Sequence, residues 1–553
     1  MPRLPVIAFL LLSALPAFAS DIGFATQYHN WASNDPEYNL GFTPFFIGKA
    51  TPGTWVRSDI GWLNYEYSPG VYSVYSNDDQ WIRALAAAGQ KVVAIFNQYY
   101  HPSFYPEGGT SYAKDASGSS PAARFLSWFA TEYKGVVSVI ELGNEIQNSW
   151  GYWGTTTPTA EANYVSFATE ATAAVHAADP NMQVIGYCAQ GSQITDMLNL
   201  GGTIDGVVYH PYNSSNEAPE GNYEPPFNTD PNGFINFYKS VQAVRPIPVW
   251  FTEMGQNSGA SEYEAAVWDV RRLVMSLFLK VAHIGFYQLI GSDSGQSVFT
   301  YTDYSRFCNF GINLTYSTLG SLTPDANPVT SSVSPPSGVI YGEDFFGPIV
   351  NGQPPVTTCA VVWVGQVLLK GPYGALSNTI ESSNITATHV NAQQVTGIDL
   401  VTGVSQSYPF IQSGSNVVIA GTISQHPVAY IISSTGGASG IPTPTPTPSQ
   451  SIVQTGNNSY GAWTNNLSVT FGKPENAGDT VTVTVNHSSG QTVSGVTDLT
   501  RNVYKQTSTA TLNGITTEVW TATPIVACGF NNATSVAFSA ATLNPSMTVT
   551  ETN

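Results

Sequence analysis

The stretch Val139-Ile-Glu-Leu-Gly-Asn-Glu145 decides the fold. A short apolar run ends in Gly143, Asn144 and Glu145, and reads as a buried strand with a carboxylate at its C-terminal end. The same construction returns at Pro248-Val-Trp-Phe-Thr-Glu-Met-Gly255, where Glu253 takes the terminal position. A carboxylate at the open end of a buried strand is poorly placed for packing and well placed for chemistry.

Outward from these two runs, further strand-like segments lie at Ile22–Thr26, Thr54–Ser58, Lys91–Asn97, Met182–Tyr187, Ile204–His210 and Ile284–Ile290. With Val136–Gly143 and Ile247–Thr252 they make eight. Helical periodicity fills the spaces between them at Asp78–Ala88, Ala122–Tyr133, Ala160–Ala177, Gly233–Ala243 and Glu262–Val281, with Gly89, Gly135 and Gly285 marking helix ends. Eight strand–helix units predict an α/β fold of the (β/α)8 TIM-barrel type. An open doubly wound sheet would carry a glycine-rich phosphate loop after its first strand, whereas this strand runs into Gln27-Tyr-His-Asn-Trp31. In this count Glu145 closes the fourth strand and Glu253 the seventh, on one rim.

The rest of the chain divides by composition. Residues 1–19 read as a secretory signal peptide, with Arg3 ahead of the apolar run Leu4–Ala19 and a small-x-small site at Ala17-Phe-Ala19. The barrel is expected over 20–371, with a long polar stretch after Ile290 and a last barrel helix at Cys359–Lys370. Short alternating strands over 372–436 predict a small β-domain packed on the barrel. The Pro/Thr tract within 437–450 is a semi-rigid linker. Residues 451–553 read as a β-sandwich accessory module, a candidate carbohydrate-binding module with Tyr460, Trp463, Tyr504 and Trp520 as ring platforms or as core.

The chain has 553 residues, a formal net charge of −19, 10% charged and 12% aromatic residues. That charge excludes nucleic acid and anionic membrane as natural partners. Together with the signal it predicts a secreted protein, extracellular or periplasmic; the sequence leaves oligomeric state open. The four cysteines allow three full pairings, of which Cys308 with Cys359 is favoured, and none has zinc-site spacing. No cofactor and no metal are expected.

Two carboxylates facing each other across a barrel mouth fit glycoside hydrolysis by double displacement, which needs an acid/base and a nucleophile about 5 Å apart. The order of the motifs sharpens this. Strand four ends Gly-Asn-Glu at Glu145, strand six ends His210-Pro-Tyr212, and strand seven ends Thr252-Glu253. Val56-Arg-Ser-Asp-Ile-Gly-Trp62, with Glu66-Tyr-Ser-Pro-Gly-Val-Tyr72 behind it, makes up the second strand and the loop after it. In this order the residues resemble glycoside hydrolase clan A, the retaining (β/α)8 glycosidases, nearest in look to family 39 and related families, over roughly residues 21–300. The resemblance implies Glu145 as acid/base and Glu253 as nucleophile. It puts Asn144 on the sugar 2-OH, His210 and Tyr212 near the nucleophile, and Arg57 near its carboxylate. Arg57 also suits a structural ion pair and His210 a structural histidine, while Glu141, near the middle of its strand, reads as structural. Many clan members carry a tryptophan at the end of strand eight. Here that strand reads Gly285-Phe-Tyr-Gln-Leu-Ile-Gly291, so Tyr287 or Gln288 takes part of that role, or another loop does. Tyr99, Tyr100 and His101 after strand three, and Trp150 and Trp153 after strand four, are candidate subsite walls or loop anchors.

The function expected is that of a secreted retaining O-glycoside hydrolase cleaving β-glycosidic bonds of a poly- or oligosaccharide. A transglycosylase and a non-catalytic carbohydrate-binding surface protein are the alternatives.

Overall fold

The computed structural model describes residues 20–25, 55–87, 89–105, 112–149, 153–154, 156–189, 191–212, 234–255, 262–287, 307–325, 329–332, 339–347, 355–365 and 381–434; in the C-terminal region it describes 454–459, 463–470, 480–488, 492–497, 504–512, 515–522, 533–543 and 546–552. The expected signal peptide, the Pro/Thr tract, Trp150, Gln288, Tyr460 and Cys528 lie outside the described residues.

Eight parallel strands close into a barrel: β1 Asp21–Ala25, β2 Trp55–Ile60, β3 Lys91–Phe96, β4 Val137–Leu142, β5 Gln183–Gly186, β6 Gly206–Tyr209, β7 Val249–Phe251 and β8 His283–Tyr287. Each pairs with its sequence neighbours, and β1 closes the ring against β8 with Asp21 opposite His283 and Ala25 opposite Tyr287. Helices Ser76–Ala87, Pro121–Glu132, Thr157–Ala178, Gly191–Asn199, Phe234–Val244, Glu262–Phe278 and Phe307–Leu319 follow β2 to β8 in turn. Local chemistry sets their starts: Ser120 caps Pro121–Glu132, its hydroxyl accepting from the Ala123 N–H at 3.2 Å with proline at the first helical position. The helix Gly191–Asn199 is not among the helices expected from sequence, although Ile194, Met197 and Leu198 stand at helical spacing and are buried.

The barrel floor is a layer of inward side chains that includes Trp55, Val93, Val139, Ile185, Val208 and Trp250. The two indoles meet edge to face at 5.7 Å. They fit because glycines face them. A Cβ on Gly23 would lie 2.0 Å from the Trp55 ring, one on Gly285 2.4 Å from it, and one on Gly206 2.9 Å from Trp250. Gly285, read from sequence as a helix end, therefore lies inside β8 and makes room for an indole.

The reading of the last barrel helix is corrected as well. Thr357–Gly365 is a strand, not the last barrel helix, which is Phe307–Leu319. The strand belongs to a six-stranded antiparallel sheet with Thr323–Asp325, Val339–Phe346, Val428–Ser433, Gln394–Asp399 and Ser405–Ser407. A four-stranded sheet, Thr330–Ser331, Glu381–Thr388, Asn416–Ile423 and Phe410–Ser413, faces it across a core of Val362, Ile385, Ile419 and Tyr430. The six-stranded sheet meets the barrel through Phe345, Val361, Trp363 and Ile431, all buried in the same core as Val270 and Ile312. Arg271 ties the two units by donating to the carbonyls of Gln425 and Val364. The favoured disulfide is also corrected: Cys359 is a free, buried thiol within this contact.

In the C-terminal region a five-stranded sheet and the three-stranded sheet Trp463–Thr470, Ala533–Leu543, Val493–Thr497 are both antiparallel. Tyr504 is buried in their core, and Trp520 packs against it while its indole N–H donates to Glu518 at 3.2 Å. Neither ring is an open platform. No helix among the described residues is long and apolar enough to cross a membrane.

Candidate active site

Side chains along a strand alternate, so the residue two beyond each floor position also points into the barrel. Two beyond Trp55, Val139, Val208 and Trp250 stand Arg57, Glu141, His210 and Thr252. The site is built on this polar second layer.

Arg57 is its centre and is 1% exposed. Its Nε and Nη2 donate to the two oxygens of the fully buried Glu141 at 2.6 and 2.7 Å. Nη2 also donates to Asn144 Oδ1 at 2.9 Å, and Nη1 to Glu253 Oε1. Burial works against the guanidinium charge, but Glu141 and Glu253 outweigh it and hold Arg57 charged. Both Glu141 oxygens are thereby committed, which accords with its structural reading. Glu253 keeps its second oxygen on the Tyr212 hydroxyl, which donates at 3.1 Å. Buried against that carboxylate, the Tyr212 phenol is pushed well above its ordinary range.

His210 stands between the two glutamates. Its Nδ1 lies 3.2 Å from Glu145 Oε1 and 3.7 Å from Glu253 Oε2, and its Nε2 lies 3.0 Å from Thr252 Oγ1. Burial pulls the imidazole down, yet the facing Glu253 and Glu145 carboxylates raise it above its usual value. Because both glutamates reach one nitrogen, their facing oxygens are less than about 7 Å apart, which admits the roughly 5 Å of a retaining pair and excludes most of the inverting range.

Glu145 is the more open of the two, 35% exposed against 13% for Glu253. Its hydrogen bond to His210 holds its carboxyl below the ordinary value, with burial acting the other way. Asn148 Nδ2 donates to its other oxygen at 2.9 Å. The backbone here is unusual. Gly143 has φ +85° and Glu145 φ +43°, a left-handed conformation that non-glycine residues seldom adopt. Gln98 holds the turn from one side: its amide donates to the Asn144 carbonyl at 2.9 Å and accepts from the Asn144 N–H at 3.1 Å.

The other expected residues are placed as follows. Tyr99 lies on the loop after β3 and is 43% exposed. Tyr287 closes β8, half-buried, with its N–H on the Met254 carbonyl at 2.8 Å. Trp153 is corrected: it is 2% exposed and packs among Tyr112, Tyr164 and Phe167 behind the strands, so it forms no subsite wall. Sequence reasoning passed over Gln98, Cys188 and Asp59. Asp59 lies two residues above Arg57, accepts from Asn97 Nδ2 at 2.9 Å, and is pushed up by burial to about 6. The one signal for these three was a polar residue within two or three positions of a strand end. Glu141, Cys188 and His210 also bring ligand-type atoms within 4.8 Å of one another. As a cation site the set fits badly, because Glu141 is saturated by Arg57, whose charge would repel the ion.

No family model matches this sequence, and no curated protein resembles it in sequence. Solved structures do resemble it in fold. A family 39 glycoside hydrolase from the gut symbiont Bacteroides cellulosilyticus WH2 superposes with a TM-score of 0.56 at 16% identity, covering 76% of this chain and 82% of that one. The catalytic domain of the GH30 xylanase C from Talaromyces cellulolyticus gives a TM-score of 0.46 at 14% identity, over 75% of this chain and 97% of that one. An exo-β-1,4-mannosidase from Opitutaceae bacterium strain TAV5 gives 0.44 at 15%, over 54% of this chain and 59% of that one. At these identities the likeness is one of architecture, and the chain has the fold of the family 39 glycoside hydrolase that it resembles.

Proposed function

We propose that this protein is a secreted retaining O-glycoside hydrolase acting on β-linked poly- or oligosaccharides. The observation that carries the reading is the convergence of Glu145 and Glu253 on one imidazole nitrogen, with Arg57 and Tyr212 fixing Glu253 and leaving Glu145 open to the mouth.

The difference in setting supports the division of roles. Glu253, oriented by two donors, attacks the anomeric carbon as the glycosidic bond breaks, forming a glycosyl ester. Glu145 gives its proton to the departing oxygen, then takes one from the water that cleaves the ester. His210 keeps Glu145 low; a glycan settling over the open carboxyl removes its water and raises it, as an acid role needs. Asn144, whose Oδ1 is held by Arg57, presents its amide to the sugar 2-OH. Tyr99 and Tyr287 stand on the loop after β3 and at the end of β8, positioned to wall the cleft.

The test is hydrolysis of a panel of xylan, β-glucan and galactan, with the anomeric configuration of the first product followed by NMR. Retention with loss of activity in Glu253→Gln is expected. Net inversion, or equal inertness of wild type and variant on the whole panel, would sink the reading. Transfer to an added acceptor sugar in the same reaction would show the transglycosylase alternative.

A further inference from the structure

Glu145 occupies a conformation that its own side chain does not favour, so something outside must hold it. Three consecutive N–H groups account for that hold. Asn144 N–H goes to Gln98, as described. Glu145 N–H donates to Cys188 Sγ at 3.4 Å, and Ile146 N–H donates to the Cys188 carbonyl at 2.8 Å. Two of the three bonds therefore end on one residue, just beyond β5. The same residue touches the partner of the Glu145 carboxyl, with Sγ 3.6 Å from His210 Nε2.

The junction is fixed from beneath as well. Tyr187, next to Cys188, is itself left-handed at φ +61°, and its N–H donates to the Tyr164 hydroxyl at 3.1 Å. That hydroxyl donates in turn to the Leu142 carbonyl at the end of β4. The ends of β4 and β5 are thus laced together at two levels, with the left-handed Glu145 and Tyr187 inside the lacing. Cys188 is 2% exposed and free, and burial pushes its thiol up, so it stands as a neutral S–H packed into a fixed place.

We infer that Cys188 is a positioning residue for the acid/base glutamate, its sulfur and carbonyl holding the left-handed turn that aims the Glu145 carboxyl at His210 and the cleft. The inference rests on the acid/base assignment of Glu145. A sulfur is a weak acceptor, but a bond that fixes direction matters beyond its own strength, since small misplacements of a catalytic group cost orders of magnitude in rate.

The test uses the full chain with Cys188→Ala and Cys188→Ser. Matched aryl β-xylosides, β-glucosides and β-galactosides are compared, each with a 2,4-dinitrophenyl and a phenyl leaving group. Protonation by Glu145 matters for the phenyl glycosides and little for the dinitrophenyl ones. Cys188→Ala is expected to lower kcat/KM, which reports the bond-breaking first step, about 10-fold more on the phenyl than on the dinitrophenyl substrate. The serine hydroxyl can accept the same N–H, so Cys188→Ser recovers part of the loss. In parallel the Glu145 carboxyl is titrated by carbon-13 NMR, assigned by its disappearance in Glu145→Gln. It should titrate higher in Cys188→Ala, where the turn relaxes away from His210, than in wild type. Equal losses on both leaving groups, or an unchanged Glu145 titration in Cys188→Ala, would overturn the inference. A wild type inert on every aryl glycoside would count against the glycosidase reading, and the titration would still decide the role of Cys188.

Discussion

Among the described residues a histidine stands beside a glutamate in two places, and the pairs could hardly differ more. In the C-terminal region His487 and Glu518 lie between packed sheets, with side chains 0% and 6% exposed and 3.1 Å apart. Every approach to Glu518 is taken: His487, the Val493 N–H, Gln506 and Trp520 all donate to it. At the barrel mouth His210 and Glu145 are 3.2 Å apart, but the Glu145 side chain is 35% exposed and its backbone is held in a disfavoured conformation. The first glutamate is saturated where it sits. The second has open valence, a second carboxylate nearby and a strained mount. What separates a buried polar cluster from a candidate reactive one is thus acceptor capacity left open toward solvent, not residue type.

The sharpest way to break that contrast is to cross activity with stability. Glu145→Gln should lose about 10²–10⁴-fold in kcat on substrates with poor leaving groups, and leave thermal unfolding nearly unchanged. Glu518→Ala should do the reverse. It strands buried donors at about 1–3 kcal/mol each, lowering the melting transition of the C-terminal module, while hydrolysis of a small soluble glycoside is untouched. Calorimetry and initial rates on the same preparations decide. A Glu518→Ala protein that loses activity on small substrates would end the comparison.

Arg57 belongs to both categories, and its variants sharpen the boundary. It satisfies the buried Glu141 and also holds Glu253 and Asn144. Arg57→Met should cost about 3–5 kcal/mol, because Glu141 keeps its burial without its partner, and should abolish activity as well. Arg57→Lys restores a charge but not the planar fork, so it should fold closer to wild type yet remain roughly 10²-fold slower. Denaturant midpoints and kcat/KM on one substrate separate the two losses. If Arg57→Lys were as active as wild type, the guanidinium would be holding structure alone.

How far this could be read from sequence follows from the same physics. The eight barrel strands were legible because parallel strands buried on both faces leave continuous apolar runs with polar residues at their ends. Thr357–Gly365 was misread because Cys-Ala-Val-Val-Trp-Val fits a buried strand as well as a buried helix turn, and its β-branched content was the better guide. Trp153 was misread because a tryptophan near a rim looks alike whether its ring faces the cleft or, as here, Tyr112 and Phe167. Residues whose importance lies in a carboxylate at a strand end, Glu145 and Glu253, announce themselves. Those that act by holding backbone, Gln98 and Cys188, have no pattern of their own, because their partners are N–H and C=O groups that every residue has.

Asp344 tests the comparison most finely, since it is sealed like Glu518 yet keeps an acceptor oxygen with nothing donating to it. It is 1% exposed, lies opposite Asp325 in the antiparallel register, and its Oδ2 has no hydrogen-bond partner. Burial, then the Asp325 charge, pushes its carboxyl up to about 8 from 3.8. The sign follows from linkage: the folded chain keeps a proton there that the unfolded chain releases, so the folded state loses stability as pH rises from about 4 to about 8, and no further above that. The slope is at most about 1.4 kcal/mol per pH unit for one proton. Asp344→Asn removes the titration and offers its amide to Asp325. Its melting temperature should therefore change less than that of wild type between pH 5 and 8, with the variant the more stable at pH 8 and their order closing or reversing at pH 5. Parallel curves would mean that Asp344 is ionised and satisfied in solution, and that a sealed carboxylate in this protein is always a paired one.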